Sequence, residues 1–159
     1  MKKLFFALVS IILVISMLLT GCSSRTSISI GKGKGSSGEF VEVKIKMNNN
    51  VGLWGGQLIV DYDYANFTFV SVTNGTVFET CESNDTGENV ILVLTHKVTA
   101  QSSLENTVKD GTVATLKFKI KTGVSKGKYA ITINDESNFC NASEEMIDVT
   151  FGAGQIKVK

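Results

Sequence analysis

Phe40-Val41-Glu42-Val43-Lys44-Ile45-Lys46-Met47 alternates without interruption: Val41, Val43, Ile45 and Met47 form one set, and Glu42, Lys44 and Lys46 the other. A period of two is that of a β-strand with one face on a core and one face in water. Asn48-Asn49-Asn50 ends the run with residues that favour turns. On the C-terminal side, Trp54 to Tyr62 repeats the pattern. Trp54, Gly56, Leu58, Val60 and Tyr62 share one face of that strand, and Gly55, Gln57, Ile59 and Asp61 share the other. After a corner at Asp63-Tyr64-Ala65, Asn66 to Thr73 reads as a strand closed by Asn74-Gly75, a strong turn signal.

Further out, Val90 to Leu94 is unbroken and apolar, as expected of a central strand covered on both faces. Lys109-Asp110-Gly111 is a turn. It precedes Val113 to Lys121, where Ala114, Leu116, Phe118 and Ile120 alternate with Thr115, Lys117, Lys119 and Lys121. Tyr129 to Ile133 and Gln155 to Lys159 are the closing strands. Thr26 to Ile30 is the opening one, with Gly31 to Gly38 as its turn. No helical periodicity follows residue 22 and no internal repeat is present. Short strands separated by turn residues make an all-β sandwich.

Composition narrows the function. The 159 residues suit one domain with an appendage. With 43% hydrophobic and 19% charged residues the chain is too apolar for a disordered one. A formal net charge of +1 leaves no basic field to hold a nucleic-acid backbone. A single histidine, His96, excludes a multi-histidine metal site, and it cannot be assembled with the scattered acids into a catalytic group. It reads as a strand-end or binding-face residue, and the protein as a non-enzyme.

Residues 1–21 read as an address. Met1-Lys2-Lys3 precedes the uncharged run Leu4 to Thr20, the pattern of a secretory signal, and Leu19-Thr20-Gly21-Cys22 looks like a bacterial lipobox. Cleavage before Cys22 and diacylation of its thiol would leave a lipidated tether at 22–26 and a sandwich domain at 27–159, exported and held at the cell surface. Cleavage removes two lysines and no acid, so the body is close to neutral. Cys81 and Cys140 remain, as a disulfide or as two separate thiols.

Other constellations have plain readings. Asp61 and Asp63 could be a carboxylate pair or a calcium site, but Asp63 reads better as the cap of its corner. Trp54 and Tyr62 point inward, which leaves Tyr64 and Tyr129 as too few aromatics for a sugar-stacking platform. The lysines at 44, 46, 117, 119 and 121 are a solvated sheet face.

Four stretches together resemble the cohesin domain: Gly38-Glu39-Phe40-Val41-Glu42-Val43; Val51 to Asp63 with its Gly55-Gly56 and terminal Tyr62-Asp63; Phe67-Thr68-Phe69-Val70-Ser71-Val72; and Lys109 to Phe118, continued by Gly127 to Ile133. Tyr64 stands where the family usually has Pro. The resemblance covers residues 27–159. It implies a jelly-roll sandwich of about nine strands, similar to cellulose-binding modules. It also implies a non-catalytic role without a cofactor of its own, binding a calcium-loaded dockerin on a secreted enzyme or scaffold protein. The alternatives are a carbohydrate-binding lipoprotein with polysaccharide as ligand, or a structural or adhesive sandwich. The resemblance further implies a binding face on one sheet. Gly55 and Gln57 stand where the best-known class has Asn and Asp, Leu94 where it has an apolar contact, and Lys97 where it has Glu. Combined with period two, this places Ile59, Leu92 and Leu94 at an apolar centre, with Gln57, His96 and Lys97 as a polar rim and Gly55 as a shallow gap.

Overall fold

The computed structural model describes residues 25–96 and 109–159. Among them twelve strands form and no helix. In chain order they are β1 (Thr26–Ile30), β2 (Lys32–Gly35), β3 (Phe40–Asn48), β4 (Gly55–Tyr62), β5 (Phe67–Asn74), β6 (Thr80–Asp85), β7 (Asn89–Thr95), β8 (Gly111–Ile120), β9 (Gly127–Ile133), β10 (Asn138–Cys140), β11 (Val149–Gly152) and β12 (Gly154–Val158). The first sheet has the order β11-β1-β3-β8-β5. The second has the order β2-β12-β9-β4-β7-β6, with β10 beside β4. The two layers enclose one core, so the all-β sandwich expected from the alternating patterns is what forms, in the jelly-roll arrangement that the resemblance implied.

The alternation in β3 is realised residue by residue: Val41, Val43, Ile45 and Met47 are buried, and Glu42, Lys44 and Lys46 are exposed. Its partner β8 sets Val43 opposite Leu116 and Val41 opposite Phe118, all of them buried. From the other sheet Tyr62 packs against Phe118, ring centroids 5.1 Å apart. Burying side chains of this size stabilises by about 1.5–3 kcal/mol each. Asp110 secures the break after β3 by accepting the backbone N–H groups of Asn49 and Asn50 at 3.1 and 2.8 Å. Buried Asn50 in turn accepts from the N–H groups of Gly52 and Leu53. Four N–H groups of the turn thereby find partners without a regular ladder.

Twelve strands stand where about nine were expected: two lanes switch sheets, and the three-residue β10 adds one more. β1 and β2 are separated by Gly31 alone, and β11 and β12 by Ala153 alone; in each pair the first strand belongs to one sheet and the second to the other. The segment Lys32-Gly33-Lys34-Gly35 therefore forms a strand where a glycine-rich turn was expected. A Cβ at Gly33 would come within 2.6 Å of a Val41 methyl, so glycine is what lets β2 lie against the core.

Candidate functional site

The two faces of β4 set the frame. Leu58, Val60 and Tyr62 point into the core and are buried. Gln57, Ile59 and Asp61 point to the outer face. Register carries this parity onto β7, where Leu58 stands opposite Leu92, Ile59 opposite Ile91 and Gln57 opposite Val93. It passes on to β6, which sets Glu82 beside Val93 and Asn84 beside Ile91. Residues directly opposite in an antiparallel pair share a face. The outer face of the second sheet therefore has an apolar centre of Ile59, Ile91 and Val93. Its rim is Gln57, Glu82, Asn84 and, from the third strand at this point, Asn138. Val93 is 46% exposed and Ile91 half-buried. Ile59 is nearly covered, and its N–H donates to Ser137 Oγ at 2.9 Å.

Leu92 and Leu94 do not belong to this face. Both are fully buried between the sheets, with Leu94 opposite Gly56 and Leu92 opposite Leu58. An apolar run has no polar member to mark its outer side, so its parity was readable and its direction was not. Ile91 and Val93 are the residues that sequence reasoning missed; pairing Ile91 with Ile59 is the signal that finds them.

Gly55 offers no gap. It is buried, and a Cβ there would approach the Leu94 carbonyl oxygen to 2.9 Å. At Gly56 a Cβ would meet the Phe139 ring at 2.5 Å and the Asn138 carbonyl closer still. The glycine pair thus makes room for β7 on one side and β10 on the other. Lys97 and Cys22 lie outside the described residues.

His96 sits past the end of β7 in a separate depression lined by Thr76, Val77, Phe78, Glu79 and Lys109. Its ring packs 5.2 Å from that of Phe78. Burial lowers its pKa from the ordinary value, and nearby Glu79 opposes part of that. Cys81 and Cys140 are free thiols. Cys140 pairs with Gly55, Gly55 with Thr95, and Thr95 with Thr80, the neighbour of Cys81. Three strand spacings, about 14 Å, separate the two lanes, well beyond disulfide reach. Burial pushes the Cys81 thiol up to about 11.

Both aspartates have structural partners. Asp63 accepts from the Asn66 N–H at 3.2 Å and from its side-chain amide at 2.7 Å, capping the corner. Asp61 accepts from Asn134 Nδ2 at 3.1 Å. Among the described residues no cluster of His, Cys, Asp or Glu could hold a metal ion. Trp54 is half-buried and Tyr62 buried. Among the described residues the exposed large aromatics are Phe40 and Tyr64, the first on the other sheet beneath Lys117 and Lys119 and the second at the β4–β5 corner. These two form no strip on which sugar rings could stack.

No curated protein matches the chain. Solved structures do. The OlpA cohesin of Clostridium thermocellum, determined in a type I cohesin–dockerin complex, superposes with a TM-score of 0.73 at 18% identity, covering 86% of this chain and 100% of that one. The third ScaC cohesin of Acetivibrio cellulolyticus, in complex with the ScaB dockerin, gives 0.74 at 22% identity over 84% and 98%. A non-cellulosomal cohesin from the archaeon Archaeoglobus fulgidus gives 0.71 at 16% identity over 86% and 92%. The family model for the cohesin domain matches residues 26–158, and the chain therefore belongs to the cohesin family.

Proposed function

We propose that this protein is an exported lipoprotein whose cohesin domain captures a dockerin-bearing protein on the outer face of its second sheet. Cohesins are non-catalytic modules, and this chain is read as one of them. The observation that carries the reading is the face itself. Ile59, Ile91 and Val93 form an apolar centre with Gln57, Glu82, Asn84 and Asn138 around it, which is the general anatomy of a protein interface. Solved cohesins of the same fold are seen in complex with dockerins. The scattered placement of Phe40 and Tyr64 weighs against polysaccharide as the main ligand.

The Leu19-Thr20-Gly21-Cys22 string supports the anchor. Two acyl chains on Cys22 give stable membrane attachment where one does not. The partner, an enzyme or a scaffold protein, would then be held at the cell surface. Calorimetric titration of a soluble form beginning at Ser23 against dockerins of the same organism tests the capture. Saturable binding that chelation of calcium abolishes supports it, and failure with every dockerin contradicts it. Fractionation of cells carrying Cys22→Ala tests the anchor separately, with loss of the protein from the membrane fraction as the expected result.

A further inference from the structure

At the far edge of the second sheet, register sets three lysines directly opposite one another. Lys34 on β2 pairs with Lys157 on β12, which pairs with Lys128 on β9. All three are exposed on the outer face, about 5 Å from strand to strand. Lys32, Lys126 and Lys159 extend the cluster, and five of the six line one open depression of about 600 Å³. Like charges directly opposite on adjacent strands are destabilising. No compensating acid is paired with them: the ion pair among the described residues, Arg25–Asp148, is at the other end of the sandwich. Glu39, near this end, has its carboxylate on the Ser36 N–H. The row opposes stability and has no ion-pair partner among the described residues, which points to an external anion.

The chemistry of the patch selects the anion. There is no apolar centre, since Val158 is 1% exposed and Gly127 has no side chain, so the anatomy of a protein interface is missing. There is no arginine, hence no planar fork for bidentate grip on carboxylates, and no exposed aromatic to stack on sugars. Compact ammonium groups in a row suit phosphate oxygens presented in series. Strands β1 and β2 run from Thr26 to Gly35, about 30 Å at 3.3 Å per residue. An N-terminal anchor would therefore hold the patch away from the lipid surface.

We propose that the lysine edge formed by β2, β12 and β9 binds a linear phosphate-bearing polymer of the cell envelope, a site separate from the apolar face. The test uses the full chain in an uncharged detergent and end-labelled long-chain inorganic polyphosphate, read by fluorescence anisotropy. Affinity should fall roughly 10- to 100-fold between 50 and 200 mM salt, as expected for release of a few counterions. Lys157→Glu is the decisive variant, because it places an acid between Lys34 and Lys128. It should weaken polyphosphate binding at least 10-fold, by order of magnitude, while raising the melting midpoint by about 2 °C. Lys44→Glu, on the other sheet, should leave affinity unchanged. The proposal is overturned by absence of binding at 50 mM salt, by unchanged affinity in Lys157→Glu, or by equal loss in Lys44→Glu. Equal affinity for polygalacturonate or for phosphatidylglycerol vesicles would also overturn it.

Discussion

Val43 and Lys44 are neighbours in sequence and opposites in environment, one fully buried against Leu116 and the other exposed opposite Thr115. Val43→Asp buries a charge without a partner and should cost about 3 kcal/mol or more, while Lys44→Asp should stay within about 0.5 kcal/mol. Urea midpoints of the two variants measure the difference directly. His96 gives a pH signature at the same scale. Its folded pKa is lowered below the unfolded 6.5, so the unfolded chain binds the proton more readily. The stability this contributes is complete above 6.5 and is lost as pH falls through the lowered folded value. The melting midpoint should therefore drop more between pH 7 and 5.5 in the natural protein than in His96→Gln. The cysteines are independent of each other. Native Cys81, half-buried and with its thiol pushed up to about 11, should react slowly with maleimide at pH 7. Both Cys81 and Cys140 should label once the chain is unfolded without reductant, because neither is bonded.

Among the elements, β10 shows how little sequence can mark a strand. It has three residues, yet it covers Gly56 and buries Phe139 to 1% exposure. Gly56→Ala should displace it and cost about 1–3 kcal/mol, measurable by thermal melting, because the added methyl meets backbone as well as the ring. Strands with clear alternation, β3, β4 and β8, were legible because polar residues marked the outer side. β6, with Thr80 to Asp85 almost wholly polar, was not: it is an edge strand whose ladder with β7 needs backbone rather than apolar side chains. β7 failed differently. Its existence was plain, but its direction was hidden by apolar residues on both faces, and so Leu92 and Leu94 were exchanged with Ile91 and Val93. The outer position of Gln57 and Ile59 was legible from β4 itself. The close packing at Gly55 was not, because it comes from β7, a partner 39 residues away at Leu94.

For the molecule as a whole, the second sheet carries two unlike outer regions. Ile59, Ile91 and Val93 lie toward β6, with Glu82 and Asn84 beside them, and the lysines lie toward β2. The first sheet presents Glu42, Lys44 and Lys46 to solvent, whereas Lys117 and Lys119, expected on the same solvated face, are half-buried over the Phe40 ring. The outer face centred on Val93 is the surface proposed to hold the dockerin. Val93→Lys places a cation opposite Glu82, which the fold can accommodate, but it removes the apolar centre. Calorimetric titration of the natural protein, Val93→Lys and Lys44→Asp against one dockerin that the natural protein binds tests the claim most directly. Val93→Lys should lose at least 10-fold in affinity, roughly 1.4 kcal/mol, and Lys44→Asp nothing, with all three proteins melting alike. Unchanged affinity in a folded Val93→Lys would contradict it.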